Sequence, residues 1–362
     1  MSEVYVARDR AITRPALRVL VYGAGAVGSW LAARLALTGV DVTLLGRPAT
    51  IAALRATGLA LALGDQTFVT YAHFADEIAM IGPVPDLVFL AVKTYDVAAT
   101  LPDLQRLAER GATIVTMQNG LGAEEAVFAA IGSTHLLAGT ITVSISLPEP
   151  GLVTQHTDTG GVAFAPLPDG PPPGTVLALF DEASVPAVGV ASYYDLKWSK
   201  LLLNMLGNAQ AAILDTDAAT IAHDPLLFAH ERRAFREALT VMVAMTARPF
   251  ALPGYDVPKL AAAMRLPTPV AWRLLRERIG GGRGAKRPSL ALALAAGQRE
   301  TEVDALNGAV ARYARAFGLS APVNATFAAL VRRLAANPAT CPPPDERRAW
   351  LSRELWARGV RE

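Results

Sequence analysis

The stretch Leu17-Arg18-Val19-Leu20-Val21-Tyr22-Gly23-Ala24-Gly25-Ala26-Val27-Gly28 decides the fold. A short apolar run enters a GxGxxG turn, and an apolar helical segment, Val27–Thr38, leaves it. This is the order a βαβ dinucleotide-binding unit requires, because each glycine has its own duty. Gly23 permits the tight turn, and Gly25 lets the backbone, with Ala26 and Val27, approach a pyrophosphate. Gly28 lets helix and strand pack closely, so that phosphate sits on the helix N-terminus.

Beyond this unit, strand-like and helix-like segments alternate through the first half, which predicts a parallel sheet with helices on its faces. The expected strands are Leu17–Tyr22, Asp41–Leu45, Phe68–Ala72, Leu87–Val92, Thr113–Met117, Leu137–Ser144 and a last short Ala187–Ala191. Leu152–Pro166, with Gly160-Gly161 inside it, reads as a β-hairpin, and Pro168–Gly174 as a turn-rich connection. From about Asp195 the pattern becomes helical: Trp198–Leu214, Pro225–Thr246, Pro258–Leu266, Leu290–Phe317 and Pro322–Ala336. Gly280–Pro288 interrupts that series as an expected loop. The divisions are therefore an N-terminal extension (1–16), a Rossmann-type α/β domain (17–194), an all-α domain (195–336) and a C-terminal extension (337–362).

The 362 residues suit two domains rather than one. Although 52% of them are hydrophobic, the longest apolar runs fall far short of the roughly 20 residues that span a bilayer, and Met1–Pro15 reads as charged without an apolar core, so export is not expected. One cysteine, Cys341, excludes a disulfide framework, which makes the cytoplasm the expected compartment. The net charge of +2 and the dispersed arginines carry no footprint of nucleic-acid binding. The five histidines, His73, His135, His156, His223 and His230, lack metal-ligand spacing, so no metal is expected. Of 34 basic residues only five are lysine (Lys93, Lys197, Lys200, Lys259 and Lys286), which marks each as a candidate for work needing a titratable amine.

Ligands of such sheets bind outside the carboxyl ends of the strands. The end of the second strand reads Leu44-Leu45-Gly46-Arg47 and lacks the carboxylate that would bond a ribose 2′-hydroxyl. Arg47 offers instead a fork suited to a 2′-phosphate, so NADP is expected over NAD. Two other strand ends carry Val92-Lys93-Thr94 and Gln118-Asn119-Gly120-Leu121-Gly122. Lys93 suits a phosphate or carboxylate. Asn119 suits a ribose or a substrate, although Asn-Gly is also ordinary turn chemistry.

In the helical half, Lys200, Asn204 and Asn208 follow at i, i+4 and i+8, which would align them on one face of an otherwise apolar helix. A partly desolvated lysine is suited to proton exchange. A second expected helix carries Thr301-Glu302-Val303-Asp304-Ala305-Leu306-Asn307-Gly308. On pattern alone Glu302 is indistinguishable from solvated charge.

Taken in order, the Gly23–Gly28 turn, Val92-Lys93-Thr94, Asn119-Gly120-Leu121-Gly122, Trp198-Ser199-Lys200 with Asn204, and Thr301–Gly308 resemble the ketopantoate reductase (2-dehydropantoate 2-reductase) family, from about Leu17 to Leu330. The resemblance implies an all-α half like the C-terminal domain of 6-phosphogluconate dehydrogenase. It also implies NADPH-dependent reduction of 2-dehydropantoate (ketopantoate) to pantoate, as in pantothenate biosynthesis. Lys200 would be the general acid and Glu302 its partner near substrate and cofactor. Asn119 would contact cofactor and substrate, Asn204, Asn208 and Ser289 the substrate, and Arg47 and Lys93 the NADPH.

Two stretches depart from the family pattern. Ala209–Asp217 lacks the usual proline and Asn-Gly turn, and Leu290–Leu294 is apolar where a Gln-Asp pair is usual. Ser289 also lies 13 positions before Glu302 rather than 12. A different 2-oxo acid or an opine-like imine, or a non-catalytic NADP-binding sensor, therefore stand as alternatives. The partner expected is a small molecule, and an alanine- and leucine-rich helical half leaves a homodimer open.

Overall fold

The computed structural model describes residues 4–6, 17–281 and 287–361. They form two compact units. The first comprises residues 1–118, 123–197 and 252–255, and the second residues 119–122, 198–251 and 256–362.

The first unit is an α/β fold built on an eight-stranded sheet among the described residues. From one edge its order is Ala187–Gly189, Val162–Pro166, Leu136–Ile141, Thr113–Thr116, Leu87–Leu90, Arg18–Tyr22, Asp41–Leu45 and His73–Ala75. Every neighbouring pair is parallel except Val162–Pro166 with Leu136–Ile141. Strand order reverses between Arg18–Tyr22 and Leu87–Leu90, where the Gly23 turn and Val92-Lys93 lie at adjacent carboxyl ends, the place where such sheets take their ligands. All four residues of Leu87–Leu90 and all six of Leu136–Ile141 are buried. Parallel strands covered on both faces read as unbroken apolar runs for this reason. Trp30 of the Ala26–Ala36 helix stacks on Phe180, which also meets Phe89 and Phe164, and this aromatic cluster pins helices to the sheet.

A second sheet in this unit orders Val4–Val6, Gln66–Thr70, Leu59–Leu63, Leu152–Gln155 and Ile145–Glu149. It corrects the expected Leu152–Pro166 hairpin. Leu152–Gln155 pairs with Ile145–Glu149 and Leu59–Leu63, whereas Val162–Pro166 belongs to the large sheet. The hairpin turn is one strand earlier, at Pro150-Gly151, a dipeptide with intrinsic turn preference.

The second unit is helical among its described residues. Its longest helix, Pro225–Ala244, starts at Asp224, whose carboxylate accepts from the amides of Leu226 and Leu227, with Pro225 in the first turn. Its buried face (Phe228, Phe235, Ala238 and Met242) packs against Pro322–Ala336 and Asn307–Ala316. At the start of Pro322–Ala336, Glu237 accepts from the amides of Val323 and Asn324 and so occupies the helix N-terminus. Two expected helices are broken. Trp198–Leu214 becomes Tyr193–Met205 and Ala209–Leu214, separated at Gly207 (φ 58°). Leu290–Phe317 becomes Ser289–Ala295, a single turn Glu302–Asp304, and Asn307–Ala316. Gly280 and Gly281, expected in a loop, end the Thr268–Gly281 helix. The rest of that expected loop, 282–286, lies outside the described residues.

After Asn337 the chain makes a further helix, Arg347–Ala357, which buries Trp350, Leu351 and Leu355 against the unit. Arg347 pairs with Asp215 at 3.3 Å and Arg348 with Asp224 at 2.6 Å, and Asp215 also pairs with Arg287.

His230, on the long helix, is buried, and its Nδ1 has no hydrogen-bond partner among the described residues. Burial pushes this imidazole from an ordinary 6.5 down to about 4; Asp224 opposes the shift, and Arg233 and Arg348 reinforce it. Between those values the unfolded chain binds a proton that the fold excludes. The stability this provides is whole above pH 6.5 and is lost as pH falls toward 4, by up to roughly 3 kcal/mol. Urea unfolding between pH 7 and pH 4 is expected to show that slope, and His230→Leu to flatten it. An equal slope in the variant would place the sensitivity elsewhere.

Candidate active site

At the cofactor end of the first unit, Gly23 adopts φ +122°, and a Cβ there would stand 2.7 Å from the Val92 amide nitrogen. A Cβ on Gly28 would stand 1.7 Å from the Gly23 carbonyl oxygen, so the helix enters as close to the turn as backbone allows. Gly25 precedes the Ala26–Ala36 helix in extended conformation, and a Cβ there would meet nothing within 4 Å. The outcome is a tight turn, an open approach, and the first amides of a helix, Ala26 and Val27 among them, which have no partner within the helix, at one place. The arrangement fits a pyrophosphate.

Arg47 precedes the Pro48–Thr57 helix in extended conformation. Its side chain is 81% exposed and bonds Asp96 at 3.1 Å, across the two strand ends nearest the Gly23 turn. Lys93 is exposed and caps the turn Thr94–Asp96, where its carbonyl accepts from the Asp96 amide. Asp41 lies at the opposite end of its strand and faces His73.

Beneath these strand ends is a buried charge pair that the sequence did not disclose. Lys197 Nζ lies 2.8 Å from Glu124 Oε1, and both side chains are 1% exposed. The ammonium also donates to the carbonyl of Gln118 at 2.5 Å. Thr116 donates to the same Glu124 oxygen at 2.7 Å. The scarcity of lysine marked Lys197, but the identity of its partner had no local signal.

In the second unit, three separated segments meet. Asn204, one turn after Lys200 on the Tyr193–Met205 helix, donates its amide to Asn119 Oδ1 at 2.9 Å. Two residues on, the Leu121 amide donates to the Ala305 carbonyl at 2.9 Å. Between them Gly120 adopts φ +82°, and a Cβ there would stand 2.3 Å from the Ala305 oxygen. Ala305 is in turn held by the Glu302 carbonyl, at the start of the Glu302–Asp304 turn. Asn119–Leu121 thus links the helix of Lys200 to the turn of Glu302. Lys200 is half-buried and Glu302 is 9% exposed, in a single turn rather than on the expected helix.

Asn208 departs from its expected place. The break at Gly207 takes it off the Lys200 helix, where its side-chain nitrogen donates to the Asn204 carbonyl at 3.1 Å and to Ser289 Oγ at 3.4 Å. Its oxygen accepts from the Leu290 amide at 3.2 Å. Asn208 therefore joins the end of the Lys200 helix to the start of Ser289–Ala295. Ser289 itself is exposed.

Two family models match the chain: ketopantoate reductase PanE/ApbA over residues 19–169 and ketopantoate reductase PanE/ApbA C terminal over 193–335. A 2-dehydropantoate 2-reductase of Halobacterium salinarum is 30% identical over 320 residues, covering 87% of this chain and 98% of its own. Among solved structures, a PanE/ApbA family ketopantoate reductase from Ralstonia eutropha JMP134 is 25% identical, with a TM-score of 0.73 over 91% of this chain and 99% of its own. A D-mandelate dehydrogenase in ternary complex with NADH and anilino(oxo)acetate shares the fold, with a TM-score of 0.75 at 20% identity over 88% of this chain and 98% of its own. No helix among the described residues is long and apolar enough to cross a membrane.

Because a Cβ at position 120 would overlap backbone rather than a movable side chain, Gly120→Ala is expected to destabilise the protein by about 2–4 kcal/mol. Thermal unfolding checks this. A melting temperature equal to wild type would show that the Asn119–Gly122 segment has room to shift.

Proposed function

Since the chain belongs to the ketopantoate reductase family, and so is an oxidoreductase that uses a nicotinamide dinucleotide, we propose that it reduces 2-dehydropantoate to pantoate with NADPH. The observation that carries this reading is the link through Asn119–Leu121 between the Lys200 helix and the Glu302 turn. Bound NADPH would supply the hydride for the keto carbon.

The chain's own residues would do the rest. As negative charge grows on the carbonyl oxygen, the Lys200 ammonium stabilises it and delivers the proton. Glu302 orients that ammonium and balances its charge. Asn119 and Asn204, already bonded to each other, present amide groups to cofactor and substrate, while Asn208 steadies Ser289 on the substrate side. At the other end of the cofactor the amides of Ala26 and Val27 bind the pyrophosphate, with Gly23, Gly25 and Gly28 giving them room. Arg47 and Lys93 supply positive charge, and the absence of a carboxylate after Leu45 favours a 2′-phosphate.

A second reading keeps the mechanism and changes the 2-oxo acid. It is favoured by the Ser289–Ala295 helix, whose residues after Ser289 are only leucine and alanine, so this wall offers no further polar side chain to a substrate hydroxyl.

An NADPH-oxidation screen over branched 2-oxo acids is expected to show turnover of ketopantoate. Preference for another acid would select the second reading, and no turnover with any of them would end the proposal. Lys200→Ala is expected to lower kcat by about 10²–10⁴-fold with NADPH affinity little changed. Full turnover in that variant would remove Lys200 as the acid. Arg47→Ala is expected to weaken NADPH binding roughly tenfold while leaving NADH binding unchanged. Equal effects on both would assign Arg47 no part in cofactor choice.

A further inference from the structure

We infer that Lys197 is a positioning residue for the reaction, acting through Gln118 on the two strand ends that carry Lys93 and Asn119. The inference rests on the proposed role of Asn119 at cofactor and substrate.

An ammonium has three hydrogens to place, and around Lys197 Nζ stand three acceptors: Glu124 Oε1 at 2.8 Å, the Gln118 carbonyl at 2.5 Å and the Gly139 carbonyl at 3.5 Å. Two belong to backbone at or within neighbouring strands, so the lysine ties the end of Thr113–Thr116 to Leu136–Ile141. Gln118 extends the tie in the other direction. Its side-chain nitrogen donates to the carbonyls of Leu90 at 2.8 Å and Val92 at 3.1 Å, directly before Lys93. Its own carbonyl is part of the planar peptide unit that joins it to Asn119. One buried cation thus fixes the carbonyl of the peptide unit that leads into Asn119, and one amide locks the end of Leu87–Leu90 to Gln118, just past the neighbouring Thr113–Thr116 strand.

A charge this deeply buried is not needed for packing alone, since an apolar side chain of similar volume would fill the space. What an apolar side chain lacks is a directional hold on the Gln118 carbonyl. Glu124 neutralises the ammonium, and Thr116 fixes the carboxylate that does so.

The test must avoid leaving a lone buried charge, so the pair is neutralised together as Lys197→Met with Glu124→Gln. This variant is expected to stay folded, to lose about 10- to 100-fold in kcat and to raise the KM for the 2-oxo acid. Combined with Asn119→Ala it is expected to be no worse than Asn119→Ala alone, because both changes remove the same interaction. Losses that multiply, or a wild-type kcat in the neutral pair, would overturn the inference. Should the neutral pair fail to fold, Lys197→Gln with Glu124→Gln decides, since it also leaves no lone charge and keeps a neutral, shorter donor toward the Gln118 carbonyl. A loss of several-fold in kcat with a raised KM for the 2-oxo acid is expected there, and wild-type values in that folded variant would overturn the inference. If the wild-type protein reduced no 2-oxo acid, the proposed function would fall. The Lys197 inference would then be read from NADPH dissociation constants across the same variants, with the same non-additivity expected and additive losses overturning it.

Discussion

Asn119 reaches Asn204 at 2.9 Å because the residue after it has no side chain. Gly120 lies so near the Ala305 carbonyl that even a methyl group would collide with backbone, and the neighbouring Leu121 amide spends its hydrogen bond on that carbonyl. A segment of four residues thereby belongs, by its contacts, with helices far along the chain. The polar groups assembled around it come from positions near 119, 200 and 302. Their arrangement depends on this approach of two backbones and on little that side-chain chemistry could replace.

The same economy of space governs the first unit. The Gly23–Gly28 turn presses helix against strand until only hydrogen atoms fit between them, and the reward is a set of helix amides left facing outward. In both places the reactive groups are few and the backbone is what holds them. Side chains with apparent chemical promise are partly consumed in this support. Asn208 engages both atoms of its amide in joining Asn204 to the Ser289–Ala295 helix.

Much of the large sheet was legible in the sequence, because Val19–Val21, Leu87–Leu90, Ile114–Val115 and most of Leu136–Ile141 are short apolar runs buried on both faces. Strands whose identity depends on a distant neighbour were not. Leu59–Leu63 (LALAL) has no marked strand chemistry, and Leu152–Gln155 and Val162–Pro166 are close in sequence yet join different sheets. Helical periodicity runs across Gly207 and Gly297, where positive φ interrupts the helix, so the pattern puts Asn208 and Glu302 within long helices that the fold breaks before them. The glycine turn, Lys93, Asn119 and the Lys200–Asn204 spacing could be read because each is local. Lys197 and its acceptor at Gln118 are 79 positions apart, and nothing near either one announces the other.

The Arg347–Ala357 helix has a practical meaning for anyone handling the protein. Trimming the chain where the family model stops, at residue 335, would strip away a tryptophan and two leucines that lie in the interior, and would leave Asp215 and Asp224 without two of their arginines. The bared surface would be greasy and newly acidic together, a recipe for clumping during purification. Shortened versions made for crystallisation or fusion should therefore keep these residues as part of the folded body.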